Sequence, residues 1–470
     1  MARSDEFATP PAGFVMSDRY LNFTNTKFGL KLTSMLGLPQ PYQLRRRDSD
    51  IPLNEQNVAI GSVDYRNNAF KELEAALNTL GLSSLEYPSI NKGVENTGDK
   101  AVYHALVFDA RALQRPIDSI QLYDYFNKNI RLLQNCGRII LLGRTPEHCE
   151  SRDQRVAQTG LQGFIRSLAK ECRKGTTAQL IYDNNGKAAR LQSTLRFLLS
   201  GDSAYVSGQM IWLQSKDSTI GSINWELPLR DQKVLVTGAS QGIGLAIAEL
   251  ITKLGGDLYC LDIPRNQKAL ESTAMRLGGE AIALDVSSDH APETLLEIGG
   301  KIDGWDVLIH NAGITRDKTI AKMSEKDWIQ VVDVNLAAQQ RINDCLLEQN
   351  GFSKGARIVC VSSISGIAGN RGQTNYAYSK AAVIGMVEAY SQTLGKKGMT
   401  INAVAPGFIE TAMTGAIPLT VREAGRRLNS LSQGGQPRDV AEVIAWLAHP
   451  ASFAVNGNII RVCGQSLLGA

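Results

Sequence analysis

The stretch Val234 to Gly244, VLVTGASQGIG, decides the fold of this chain. A short apolar run ends at Thr237 and Gly238, and Gly242 and Gly244 then open the amphipathic segment GLAIAELITKLG. This order reads as a buried strand, a glycine turn and a helix. Glycines at these places let the backbone turn tightly and bring a helix N-terminus close to a pyrophosphate, whose charge the free amides and the helix dipole stabilise. Gly238, Ser240, Gln241, Gly242, Ile243 and Gly244 are therefore the candidate phosphate cradle. An acid follows where the next strand, LYCLD, ends at Asp262. A carboxylate there accepts hydrogen bonds from ribose hydroxyls and repels a 2′-phosphate, which selects NAD(H) over NADP(H). The other reading of Asp262 is a plain helix cap. Arg265, three residues on, could meet a phosphate, whereas the glycine loop carries the uncharged Gln241 in place of a basic residue.

Working outward, KVLVTG, DLYCLD, DVLIHNAG, RIVCVSS and TINAVAPG alternate with amphipathic stretches. Such alternation means βαβ units, hence an α/β fold with a parallel sheet covered on both faces. The first half alternates in the same way through NVAIGSV, YHALVFDA, GRIILLG, AQLIYD and QMIWL. Three of its segments echo the second half in the same order. GRIILLGRT resembles ARIVCVSSI, GLQGFIRSLAKE resembles AVIGMVEAYSQT, and SAYVSGQMIWL resembles SFAVNGNIIRV. The pattern predicts an internal duplication and two doubly wound parallel-sheet domains, a C-terminal Rossmann fold and an N-terminal degenerate Rossmann or flavodoxin-like one. The expected boundaries are a loose tail over 1–15, a first domain over 16–214, a polar linker over 215–232 and a second domain over 233–470.

Composition fits two soluble cores. Hydrophobic residues make up 43% and charged residues 20%, and the formal net charge is only +4, too small to argue for nucleic acid or an anionic membrane as partner. The basic run Arg45 to Arg47 is followed by Asp48 and Asp50, and reads as a solvated mixed-charge loop. Seven cysteines without a CxxC pair suit neither a zinc site nor a disulfide scaffold, so a cytoplasmic location and no metal are expected. The N-terminus lacks the basic and apolar blocks of a secretory signal. No apolar run reaches the roughly 18 residues of a membrane span.

Tyr376 and Lys380 lie four residues apart in NYAYSKAAVIGM, so both project from one helix face. A phenol ionises near pKa 10 and is a poor acid or base at neutral pH unless a fixed positive charge stabilises its anion, a charge Lys380 can supply. Ser363 closes the strand RIVCVSS, where strand C-termini gather ligands, and its hydroxyl could hold a carbonyl oxygen beside the phenol. Tyr378 has no lysine four residues later, and its face points elsewhere.

TGASQGIG, HNAG at His310 to Gly313, Asn335 in DVNL, Ser363, Tyr376, Lys380 and PGFIET at Pro406 to Thr411 together resemble the signature set of the short-chain dehydrogenase/reductase superfamily, over residues 231–470. Within it, AGITRDKTIAKMSEKDW and VAPGFIETAMT are similar to the 3-oxoacyl-(acyl-carrier-protein) reductases, and the extra N-terminal domain to their high-molecular-weight branch. The resemblance implies Asn335, Ser363, Tyr376 and Lys380 as the catalytic set, with Asn335 holding a water that relays protons toward Lys380. It implies further that Asp285 and Val286 sit by the adenine and Asn311, Ala312 and Gly313 under the ribose. Pro406, Gly407, Ile409 and Thr411 would lie at the nicotinamide, and Tyr376 and Lys380 would touch the cofactor too. Lys354 and Lys397 fall where relatives carry basic residues that meet the acidic carrier protein, the other reading being two ordinary solvated lysines. The implied reaction is NADH-dependent reduction of 3-oxoacyl thioesters of CoA or acyl-carrier protein. Oxidation of 3-hydroxyacyl-CoA is the alternative, and an idle NAD-binding assembly protein the rival of another class.

Two departures stand out. His310 replaces an asparagine, read as a substitution that keeps a hydrogen bond at the strand end. Cys463-Gly464-Gln465 replaces an aspartate and paired glycines, which puts the subunit contact normally made there in doubt. In the first half the echo places Gln154, Gln158 and Arg144 at the Tyr, Lys and Ser positions, and its first strand leads into no glycine-rich loop. That half is expected to be a nucleotide-free scaffold whose helix 160–171 packs as a sister subunit would, giving a homodimer with four α/β units.

Overall fold

A computed structural model describes residues 18–82, 84–86, 102–184, 186–214, 223–415 and 418–467. The expected tail and residues 215–222 of the expected linker lie outside the described residues. Valine, isoleucine and leucine runs with no polar alternation form strands buried on both faces, as parallel sheets require. The first sheet holds β1 (Asn57–Ser62), β2 (Ser84–Glu86), β3 (Tyr103–Asp109), β4 (Leu133–Gly143), β5 (Thr177–Asp183) and β6 (Met210–Leu213) in the order β2-β1-β3-β4-β5-β6. The second holds β7 (Lys233–Thr237), β8 (Asp257–Asp262), β9 (Glu280–Ala283), β10 (Trp305–His310), β11 (Phe352–Val361), β12 (Thr400–Pro406) and β13 (Ile459–Val462) in the order β13-β12-β11-β10-β7-β8-β9. Every pairing within the two sheets is parallel. The second order is that of a dinucleotide-binding sheet, and the first is the same order with the β9 position missing.

The echoes in sequence are echoes in contact. Arg138 on β4 donates from Nε to the Ser200 carbonyl at 3.2 Å, and Arg357 on β11 donates from Nε to the His449 carbonyl at 3.3 Å. The amide of Trp212 donates to Asn458 Oδ1 at 2.8 Å, and at the equivalent places Arg461 donates to Gln209 Oε1 at 3.0 Å. These reciprocal bonds cross between the halves, so the two are related by an approximate two-fold axis.

On that axis the helices Ala188–Leu199 and Pro437–Ala448 meet. The rings of Phe197 and Trp446 stack with centroids 4.4 Å apart and planes within 1° of parallel. Leu213 bridges Val455, and Gln214 donates to the Ala454 carbonyl at 2.9 Å. The largest apolar core is consequently shared: Leu191, Leu195 and Leu198 belong to the same cluster as Val440, Ile444 and Leu447. Two wholly separate cores were expected from composition, and the shared one corrects that.

The arginine run is corrected as well. Arg46 forms a bidentate pair with Asp439, at 2.7 and 2.9 Å, and Arg47 bonds Glu442 and Asp202, so the run reads across the seam and is no solvated loop. Its acidic partners lie far away in sequence, where inspection of the local charge pattern does not reach. The helix Arg152–Glu171, expected at this interface, meets the second half through the Arg166 carbonyl, which accepts from Gln465 Nε2 at 2.7 Å.

Removal of residues 1–214 uncovers the apolar face of helix Pro437–Ala448. Aggregation or a changed oligomeric state of the remaining half, read by light scattering after size-exclusion chromatography, is the expected outcome. A monodisperse, fully active fragment would show that the seam is dispensable.

Candidate active site

The carboxyl ends of β7, β10, β11 and β12 converge on one edge of the second sheet. Gly238 and Gly242 sit there with φ of 67° and 60°, the left-handed region that glycine enters without strain. Gly244 is required by close approach, since a Cβ on it would lie 1.9 Å from the Gly238 carbonyl oxygen. The turn is braced from β10. Asn311 Nδ2 donates to the carbonyls of Thr237 and Gly238 at 2.9 and 3.2 Å, and the Thr237 hydroxyl accepts from the amides of Asn311 and Ala312, both at 3.0 Å. The helix Gly242–Lys253 has no side-chain cap and no acid in its first turn, which leaves its amides for an anion. The cradle thus fits a dinucleotide pyrophosphate. Thr237, whose hydroxyl joins the two strands, escaped notice in the sequence because it reads there as one more strand residue.

Asp262 ends β8, buried, with four donors on its carboxylate. Ser240 gives its hydroxyl at 2.5 Å and its amide at 3.2 Å, the Ile263 amide approaches at 2.8 Å and Asn266 Nδ2 at 3.0 Å. It therefore ties the glycine loop to the start of the next helix, which joins the cap reading to its place beside the cradle. Arg265 is exposed. Asp285 is exposed and accepts from the Ser287 amide and hydroxyl, while Val286 is buried against β10.

The catalytic candidates come together. The hydroxyl of Ser363 stands near enough to the Tyr376 phenol to lower its pKa, and Lys380 Nζ lies 5.7 Å from the Tyr376 ring centroid. Asn335 occupies a π-helical turn, Asp333–Ala337, of the kind that interrupts helices at functional sites. Its fully buried amide accepts from the Ile314 amide at 2.8 Å and donates to the Ile314 carbonyl at 3.0 Å and to Ser379 Oγ at 3.1 Å. Ser379 in turn donates to the Tyr376 carbonyl at 2.8 Å, a link that the spacing in YAYSK could have suggested. The Asn335 carbonyl accepts from Gln339 Nε2 at 2.8 Å.

Electrostatics here differ from the sequence expectation. Burial pushes the Tyr376 phenol above its ordinary value, with the neighbouring Ser363 hydroxyl working against it and Asp317 with it. Burial also brings the Lys380 ammonium down to about 8. The reason that Lys380 does not depress the phenol is its direction: Nζ donates to the Val361 carbonyl at 2.7 Å. Tyr378 points away, more than half exposed, beside Trp328.

After β12, a Cβ on Gly407 would strike Cys463 at 2.6 Å, so the chain can turn there only as glycine. Thr411 bonds Thr414 within the short helix that follows, at 2.8 Å from its amide. The Ile409 side chain is 3% exposed and belongs to the shared core. Its side chain packs inward against that core. His310 is buried against Asn343 at 2.9 Å and held neutral, its pKa down to about 4 through burial. Gly464 donates to the Tyr205 carbonyl at 3.0 Å, so the altered Cys463-Gly464-Gln465 segment meets the first half of the same chain. Lys354 and Lys397 are exposed, but they lie at the opposite edge of the sheet, beyond the far end of helix Thr374–Lys396. A helix of that length carries Lys397 roughly 30 Å from Tyr376, so neither lysine borders the site.

The first sheet has the matching crevice, and it is filled. A Cβ on Gly61 would lie 2.6 Å from the Tyr125 ring. Arg111 forks onto Asp109 at 2.9 and 2.7 Å and reaches Asp183 at 3.2 Å, with Arg190 on the other side of Asp183 at 3.2 Å. At the catalytic positions, Gln158 accepts from the Arg144 amide at 2.8 Å and Gln154 from the Glu150 amide at 2.9 Å.

A glycine turn, an acid after the second strand, and a Ser–Tyr–Lys group at one sheet edge define a nucleotide-dependent oxidoreductase. Residues 238–464 match the family model described as enoyl-(acyl carrier protein) reductase. The 3-oxoacyl-[acyl-carrier-protein] reductase FabG of Vibrio cholerae is 36% identical over 237 residues, which is 50% of this chain and 97% of that protein. Its namesake from Thermotoga maritima is 39% identical over 240 residues, 50% of this chain and 98% of that protein. A short-chain dehydrogenase from Burkholderia cenocepacia, solved in complex with NADP, is 28% identical, with a TM-score of 0.48 over 51% of this chain and 98% of that one. The chain belongs to the short-chain dehydrogenase/reductase family.

Gly244→Ala should displace the glycine turn by backbone collision and cost about 1–3 kcal/mol of stability. Nucleotide affinity, measured by fluorescence titration, should fall with it. Unchanged affinity would mean that the cradle is not where the nucleotide binds.

Proposed function

We propose that the second half of the chain reduces 3-oxoacyl thioesters, carried on CoA or on acyl-carrier protein, to 3-hydroxyacyl thioesters with NADH. The observation that carries the reading is the grouping of Ser363, Tyr376 and Lys380 at the edge that holds the glycine turn. Support for the substrate class comes from relatives that are 36% and 39% identical and named as 3-oxoacyl-carrier reductases. NADH is preferred on the position of the Asp262 carboxylate and on the uncharged Gln241. To bind the ribose, Asp262 must exchange or share one of its four donors.

A dinucleotide held by the Gly238–Gly244 turn would supply hydride to the ketone carbon. The Ser363 hydroxyl donates a hydrogen bond to the ketone oxygen and holds it against the phenol. Tyr376 transfers its proton to that oxygen, which receives the electron pair of the C=O π bond, and the product is the neutral alcohol. The phenolate left behind needs a positive charge, and Lys380 turned from the Val361 carbonyl toward the ring supplies it. An ammonium with pKa about 8 is mostly charged at neutral pH. A phenol held above its ordinary pKa keeps its proton until the oxygen takes it, which suits the reductive direction. Asn335 keeps the adjoining helix turn in place and holds the water that passes a proton back toward Lys380. The domain boundary falls within 215–232, and the chain works in the cytosol as a homodimer of four α/β units.

Two measurements test this reading. In Tyr376→Phe, acetoacetyl-CoA-dependent oxidation of NADH should fall by about a hundredfold or more, with NADH affinity unchanged within about threefold; substantial residual turnover would remove the phenol from its role. In Asp262→Ala, the ratio of catalytic efficiency with NADH to that with NADPH should narrow. A wild-type preference for NADPH would reverse the cofactor assignment and point to Arg265.

A further inference from the structure

We propose that two residues of the first half, Asp18 and Tyr205, are positioning residues for the cofactor and substrate loop of the second half. The inference rests on the proposed function, with the backbone around Ile409 and Thr411 lying at the nicotinamide as the family resemblance implies. Two separate chains of contact reach that backbone from the first half.

The first chain begins before β1. Asp18 forks onto the guanidinium of Arg427, with both bonds at 2.7 Å, and the Tyr20 ring lies 4.6 Å beneath the same guanidinium. Both charged side chains are close to nine-tenths buried, at 11% and 12% exposure. Arg427 also holds the Ser432 carbonyl at 2.9 Å. Its neighbour Arg426 bonds Glu423 and reaches Glu410 at 2.8 Å, and Glu410 lies between Ile409 and Thr411.

The second chain starts at Tyr205, which is 1% exposed. Its hydroxyl donates to the Gln433 carbonyl at 2.7 Å, and its ring fills the space that a Cβ on Gly435 or Gly464 would need, at 2.4 and 2.9 Å. Gly435 pairs with Ile409, donating to the Phe408 carbonyl at 2.9 Å and accepting from the Glu410 amide at 2.8 Å.

These links matter because the helix Leu419–Arg427 buries little apolar surface of its own. In helix Leu419–Arg427 only Arg426 is buried, while Leu419 and Val421 are 62% and 59% exposed. A helix of nine residues is marginal in water without a packed face. Its place is set by polar contacts, and those of Arg427 lead to Asp18.

The test uses the full chain. Asp18→Asn removes the charge but keeps a good helix cap, so the cap to the Leu21 amide survives. Tyr205→Phe keeps the ring and removes the hydroxyl. Tryptic cleavage after Arg422, Arg426 or Arg427 under native conditions should speed up about tenfold in Asp18→Asn, as expected on losing a charge-assisted pair. KM for NADH and for acetoacetyl-CoA should rise by about fivefold, with kcat and the melting temperature little changed, a split that general destabilisation would not produce. Tyr205→Phe should act in the same direction by about threefold, the size of one neutral hydrogen bond. Unchanged cleavage in both variants overturns the proposal, and so does faster cleavage with unchanged KM. If the wild-type chain reduces no 3-oxoacyl thioester, the enzymatic reading fails by itself; NADH affinity and cleavage then decide whether the first half positions the loop.

Discussion

The stack of Phe197 on Trp446 marks the constraint on which the rest of the molecule depends: each half covers the edge strand of the other. A parallel sheet ending at β6 or β13 would present an open edge and an apolar helix to water, and such edges invite pairing with other chains. Here the two edges are related by an approximate axis and meet, so each closes the other. Burying an aromatic ring of this size contributes roughly 4–6 kcal/mol as an upper estimate from area removed from water. The reciprocal bonds of Trp212 to Asn458 and of Arg461 to Gln209 satisfy the strand amides at the same seam. Because β13 runs directly into Cys463 and Gly464, which pack on Gly407 and Tyr205, the seam continues without a break into the loop beside the candidate active site.

Local pattern carried most of the fold and little of the joint between its halves. The strand–glycine–helix order of Val234 to Gly244 and the YxxxK spacing are short-range signals, and the structure has the strand, turn and helices that they call for. Arg46 and Arg47 show the limit. Their partners Asp439 and Glu442 stand on a helix in the other half, so a run that looks solvated by its own neighbours is half-buried by distant ones. Lys354 and Lys397 show it differently: chain position beside a catalytic helix says nothing about which end of that helix faces the substrate. Ile409 was legible as a position in a motif, but the direction of its side chain depends on Gly435 and Tyr205, far off in sequence.

The site itself is arranged to hold protons and wait. Lys380 and Tyr376 share a helix face, as spacing alone dictates, yet their charges do not couple in the way that spacing suggests. The ammonium spends its bond on the Val361 carbonyl, and burial then moves both groups toward their neutral forms, the lysine down and the phenol up. Both shifts have one origin, the low polarity of an enclosed edge. Such a site gains from a ligand that brings fixed charge with it, since that charge acts in the same weakly screening surroundings.

The first half shows the same edge filled by protein groups. Opening a crevice at the strand switch point leaves buried carbonyls and amides in need of partners, and a nucleotide would supply them. In the first sheet protein groups do so instead. Tyr125 donates to the Ala59 carbonyl at 2.7 Å, Arg111 to the Ala69 carbonyl at 2.7 Å, and Arg190 to the Leu213 carbonyl at 2.8 Å. Asp109 and Asp183 keep the two guanidinium groups paired, a condition without which buried charge is strongly destabilising. Arg190 stands on the helix that carries Phe197, and Leu213 ends the strand that bridges Val455. The cluster that occupies the first crevice therefore also fixes the helix and strand that build the seam, so the filling of one crevice and the rigidity of the support beneath the other are consequences of the same residues.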